Sequence, residues 1–146
     1  MKKKIFALML AFALSLFCVI GANAADRVSV TVNGRPVEFD VPPMIISDRT
    51  MIPMRATFEL LGANVEWVDD MKMALATYKT SIVAIQIGMP SFTVTNVITN
   101  ETQTYALDVP AQIVNSRTLI PLRAISEALG KTVGWDGETR TVSITD

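Results

Sequence analysis

Five groups of side chains in this sequence could do chemistry, and three of them occur twice. Arg55 and Glu59, like Arg123 and Glu127, stand four apart, the spacing at which side chains meet on one helical face. Two ion pairs bracing their own helices are expected from them, ahead of a clamp for a charged ligand. Arg49 and Arg117 open the segments leading into those pairs. They are expected to tie a turn by donating to backbone carbonyls or to acids such as Asp40 and Asp108. Trp67 and Trp135 hold like places farther along. An exposed indole stacks on sugar rings, but a tryptophan recurring behind each helix would bury a large area, so packing is the expectation. Glu66, Asp69 and Asp70 gather around Trp67, and paired acids beside an aromatic are the machinery of glycoside hydrolysis. Their setting reads instead as a turn between strands, where aspartate is common. Met71 and Met73, with Met44, Met51, Met54 and Met89, could hold copper(I) if several converged, yet methionine ordinarily fills irregular gaps in a core.

The missing residue types narrow the field further. The chain has one cysteine, Cys18, and no histidine, which rules out a histidine-based triad. No catalytic residue, cofactor ligand or metal ligand is assigned.

The elements that must position these groups begin after an export signal. Lys2, Lys3 and Lys4 precede an apolar run from Ile5 to Ile20, Gly21 ends it, and Ala22-Asn23-Ala24 gives a small-x-small cleavage pattern. Residues 1–24 are therefore expected to be removed, Cys18 with them, and the product to be secreted or wall-associated. A disulfide-free chain of about 120 residues must rely on a core, and that length suffices for one ordinary domain. Thirteen cations less the three in the signal leave ten against fourteen acids, a net charge of −4. Nucleic acid is a poor partner for that balance. No later apolar run has membrane length, so no stable membrane insertion is expected after cleavage.

Sliding the chain against itself by 117 − 49 = 68 residues aligns two segments without a gap. Arg49, Thr50, Ile52, Pro53, Arg55, Ala56, Glu59, Leu61, Gly62, Val65 and Trp67 fall on Arg117, Thr118, Ile120, Pro121, Arg123, Ala124, Glu127, Leu129, Gly130, Val133 and Trp135. Asp40, Val41, Pro42 and Ile45 fall on Asp108, Val109, Pro110 and Ile113. Two repeats of about 27–88 and 89–146 are expected. In the first, alternating Val28, Val30 and Val32, the Asn33-Gly34 turn, and Val37, Phe39 and Val41 predict a β-hairpin. Pro53 suits the first turn of a helix that buries Met54, Phe58 and Leu61 and stops at Gly62. The second repeat predicts the same order, with Pro121 opening its helix, Gly130 closing it, and a longer opening loop at 97–104 where the first has Asn33-Gly34. Counting strands at Ala74 to Tyr78 and Ile82 to Ile87, the chain reads as about nine short strands and two short helices. The fold class is α+β, with antiparallel sheets carrying two helices and the halves sharing a core.

The stretch Arg-Thr-Met-Ile-Pro-Met-Arg at 49–55, its twin Arg-Thr-Leu-Ile-Pro-Leu-Arg at 117–123, Val-Asn-Gly-Arg-Pro-Val at 32–37 and Trp-Asp at 135–136 resemble the copper amine oxidase N-terminal domain family. The resemblance implies a stalk-like domain outside any catalytic core, carried by many secreted proteins of Gram-positive bacteria. The family's copper does not follow it here: oxidase-type copper centres depend on imidazole ligands, and this chain has none. The sequence ends at Asp146 with no room for a catalytic domain, so no oxidase activity is expected. A secreted, non-enzymatic envelope module contacting another protein or a cell-wall polymer is the functional expectation. Its rivals are an acid-residue hydrolase of wall glycan and a methionine-based copper(I) carrier. The partner and the oligomeric state are left open.

Overall fold

The computed structural model describes residues 27–146. The expected signal at 1–24, with Cys18 and the cut after Ala24, lies outside the described residues. Alternation builds the first hairpin: Val30 is buried between exposed Ser29 and half-buried Thr31, giving β1 (Ser29–Val32), and the chain returns as β2 (Arg35–Val37). Asn33 at φ 48° and Gly34 at φ 77° form the turn, both left-handed as a tight hairpin of this twist demands.

A second hairpin follows that the sequence did not announce. Strand β3 (Met44–Ile46) and strand β4 (Arg49–Pro53) pair through a turn at Ser47 and Asp48. Both turn residues have positive φ, 48° and 60°, without the glycine that usually marks such a turn. Pro53 ends this strand and caps helix α1 (Met54–Leu60) from outside, one residue earlier than a first-turn position. Its carbonyl accepts a 2.8 Å hydrogen bond from the buried Thr57 hydroxyl. The helix stops as expected: Gly62 takes φ 89°, its N–H donates to the Glu59 carbonyl at 3.0 Å, and the Ala63 N–H donates to the Phe58 carbonyl at 2.8 Å.

The chain then runs through a meander of β5 (Asn64–Val68), β6 (Met73–Tyr78), β7 (Ser81–Gln86), β8 (Ser91–Asn96) and β9 (Thr102–Ala106). The long opening loop is shorter than predicted, 97–101, because Thr102 already pairs with Thr95. The Asn96 carboxamide oxygen accepts the Ile98 and Thr99 N–H groups, which tightens the turn and leaves Ile98 73% exposed. Another hairpin, β10 (Gln112–Val114) and β11 (Arg117–Pro121), precedes helix α2 (Leu122–Ala128). Gly130 at φ 74° closes that helix with the bonds seen at Gly62. The last strands are β12 (Thr132–Asp136) and β13 (Thr141–Thr145). Thirteen strands stand among the described residues, the four beyond the expected count being the two hairpins at 44–53 and 112–121.

The strands form three sheets, ordered β12-β13-β1-β2, β10-β11-β4-β3 and β5-β6-β7-β8-β9. All pairings are antiparallel except β1 with β13, so the expected antiparallel α+β class holds with one parallel exception. Early and late parts of the chain meet in every sheet. In the middle one β4 pairs with β11, placing Ile52 opposite Ile120, Met51 opposite Pro121 and Pro53 opposite Leu119. The main core takes Ile52, Phe58 and Val83 from the early part and Phe92, Ile120, Ile125 and Ile144 from the late part. A smaller cluster joins Val41 and Met51 to Val109 and Leu119. Among the described residues no helix is long and apolar enough to cross a membrane.

Candidate functional site

The seam between β4 and β11 brings together side chains that are far apart in the sequence. Arg49 leaves the first residue of β4 and pairs with Asp108, its Nε 3.0 Å from Oδ2, while its Nη1 donates to the Asp48 carbonyl at 3.2 Å. Arg117 leaves the first residue of β11 and pairs with Asp40, Nε 2.9 Å and Nη2 2.6 Å from Oδ2, with Nη1 donating to the Ser116 carbonyl. Both arginines thus do what was expected of them, tying carbonyl and acid at once. The acid in each case belongs to the opposite part of the chain. The Arg117 guanidinium, then the Val41 N–H, hold the Asp40 carboxyl below its ordinary pKa.

Around these crossed pairs lie two clefts. One, of about 610 Å³, is lined by Arg49 and Asp108, by Pro121, Arg123 and Glu127 at the start of and along α2, and by Trp135 from β12. The other, of about 860 Å³, is lined by Arg117 and Asp40, by Pro53, Arg55 and Glu59, and by Trp67 from β5. Five residues of the repeated motif therefore gather in each cleft, each containing an arginine from one strand of the seam and a helix and tryptophan from across it. Gly62 and Gly130 do not line either cleft; they only end the helices.

The two clefts differ in how their groups are occupied. In the larger one Arg55 donates to the Val65 carbonyl at 2.9 Å and lies 3.7 Å from Glu59, the brace expected from their spacing. Trp67 is half-buried against the main core, and its Nε1 donates to Asp69 at 3.2 Å. Asp69 also takes Lys72 Nζ at 2.9 Å, and these two donors, lysine first, depress its pKa. In the smaller cleft the matching pair does not form: among the described residues no ion pair joins Arg123 to Glu127. Trp135 is 43% exposed, contrary to the expected burial. Strands β5 and β12 are both edges of their sheets, but Gly137 stands 68 residues after Asp69, so the carboxylate that anchors Trp67 has no counterpart beside Trp135.

Of the remaining candidates, Glu66, Asp69 and Met54 line the larger cleft and the others lie outside both. Asp69 and Asp70 occupy the β5–β6 turn, as predicted for them, and Glu66 is exposed on β5. Met51, with half-buried Met44 against it, belongs to the small cluster, Met54 to the main core, Met73 is half-buried on β6, and Met71 and Met89 are exposed, so core filling accounts for three of the six.

One polar cluster escaped the sequence reading. The Lys131 side chain is only 8% exposed; its Nζ donates to the Tyr78 hydroxyl at 2.9 Å, lies 5.1 Å from that ring's centre, and pairs with Asp146. Asn33 Nδ2 donates to the same Asp146 carboxylate at 3.0 Å. Asp146 and then Tyr78 push the lysine pKa up, and Lys131 followed by Asn33 pushes the Asp146 carboxyl down. The signal was slight: Lys131 follows the helix-ending Gly130, where the residue 68 earlier is Ala63.

The family model for the copper amine oxidase N-terminal domain matches residues 31–144, a span that takes in both clefts. No curated protein matches the chain.

Proposed function

This chain belongs to the copper amine oxidase N-terminal domain family, a non-catalytic stalk-type domain, and from that premise we propose that it is an exported scaffold and binding module of the cell envelope. Two like halves, related by the offset of 68 residues, clasp each other along β4 and β11 and hold their clefts in fixed geometry. The module acts by surface contact with a wall polymer or an envelope protein and turns over no substrate.

The observation that carries this reading is the make-up of the clefts. Each sets an arginine, a glutamate and a tryptophan on regular elements beside a crossed ion pair. Such a mixture of donor, acceptor and flat apolar surface recognises a ligand, and a sequence without histidine or a retained cysteine offers few routes to covalent chemistry. Export is supported by the basic, apolar and small-residue order of residues 2–24.

Co-sedimentation with insoluble peptidoglycan tests the reading, with boiled protein as the control. The native protein is expected in the pellet and the boiled protein in the supernatant. Native protein recovered wholly in the supernatant would remove wall polymer as the partner, and turnover of glycan by the purified chain would overturn the non-catalytic reading itself.

A further inference from the structure

We infer that the cleft beside Trp135 is the ligand-binding one and that it takes a neutral carbohydrate, a pyranose chain with equatorial hydroxyls. The inference rests on the binding-module reading above and gives it a ligand class. The two clefts differ at equivalent positions. Beside Trp67 the indole is engaged within the fold by Asp69, and Arg55 by the Val65 carbonyl and Glu59. Beside Trp135 the corresponding groups are released. Gly137 replaces the acid that would hold the indole, and Trp135 is 43% exposed. Among the described residues Arg123 and Glu127 make no ion pair or side-chain hydrogen bond.

Released groups of this kind complement a sugar. A pyranose with equatorial hydroxyls presents a flat C–H face, which the indole matches, and a rim of hydroxyls that both donate and accept. Arg123 supplies donors only and Glu127 acceptors only, one helical turn apart on α2, so neighbouring hydroxyls can meet both. Gly134 stands on the cleft wall where the other cleft has Glu66, so that carboxylate has no equivalent beside Trp135. The volume, about 610 Å³, falls inside the range of roughly 300–1,000 Å³ for small-ligand sites. Among the described residues two unpaired acids, Asp48 and Glu127, against one unpaired cation, Arg123, on an exported chain of net charge −4, favour an uncharged ligand over a polyanion.

Titration of the purified protein with cellotetraose and with chitotetraose, followed by the indole N–H signals in NMR spectra, tests the site. Saturable binding is expected to move the Trp135 signal and leave that of Trp67 in place, the two being assigned by loss of one signal in Trp135→Phe. Trp135→Ala and Arg123→Gln are each expected to weaken binding about tenfold with melting curves unchanged, whereas Ile98→Ala, outside the cleft, changes nothing. No saturation by either oligosaccharide at millimolar concentration overturns the site, as does a shift confined to Trp67. Tighter binding of tetragalacturonate than of the neutral oligomers overturns the ligand class. Sedimentation with peptidoglycan but no oligosaccharide binding would sink this site and spare the module reading; binding here without sedimentation would keep the site and remove peptidoglycan as the polymer it meets.

Discussion

Replacing Ile52 or Ile120 with alanine probes the seam on which both clefts depend. The two side chains face each other across β4 and β11, and both are fully buried in the main core. Each substitution removes three carbons, a transfer loss of about 2.4 kcal/mol at about 0.8 kcal/mol per carbon. A residual cavity raises the cost to about 3–4 kcal/mol. For a domain of this size that lowers the melting midpoint by about 10–15 °C. Because the two residues touch a shared cavity, the double variant should cost less than the sum of the singles by about 0.5–1 kcal/mol. The assay is thermal unfolding followed by Trp67 fluorescence in a Trp135→Phe background, with circular dichroism in parallel. Ile120→Ala, remote in sequence from Trp67, should shift the fluorescence midpoint as far as Ile52→Ala does. A fluorescence midpoint that stays put while the dichroism midpoint falls would refute the shared core.

Three other outcomes follow from single residues. Gly62→Ala and Gly130→Ala force a Cβ into left-handed backbone at φ 89° and 74° with no neighbour nearer than 3.9 Å, so each should cost about 1–2 kcal/mol of strain in equilibrium denaturation. Iodide should quench Trp135 more steeply than Trp67, read in the two single-tryptophan variants, since Asp69 and the core hold only Trp67. The Lys131–Asp146 pair sets a stability window in pH. The Asp146 pKa is depressed below 3.8 in the folded state, so its contribution is complete above that value and fades as pH falls through the lower folded pKa. The Lys131 pKa is raised above 10.5, so its contribution is complete below that value and fades as pH rises through the higher folded pKa. Asp146→Asn should flatten the acid side of a plot of melting midpoint against pH.

Much of this architecture is legible in the residues because its signals are local. Pro53 and Gly62, like Pro121 and Gly130, bracket the helices within a residue, and alternating valines mark β1. The hairpins at 44–53 and 112–121 were hidden because left-handed turns at Ser47-Asp48 and Asn115-Ser116 lack the glycine that would have flagged them. Arg49 and Arg117 were expected to seek carbonyls and acids, but nothing local says which acid; pairing of β4 with β11 carries each arginine to the acid of the other part of the chain. The exposure of Trp135 was visible in principle, in the change from Asp69 to Gly137. Its meaning depends on the Trp67 contact that only the folded chain displays.

A core shared in this way implies that neither half closes one alone. Of the main cluster's buried residues, eleven lie in 27–88 and eight in 89–146, and units of about sixty residues are marginal even with a whole core. Thermal melts of fragments 25–88 and 89–146, alone and in equimolar mixture, test this most directly. Each fragment alone should melt without a cooperative transition, and the mixture should recover one. A cooperative melt by either fragment alone would contradict the account.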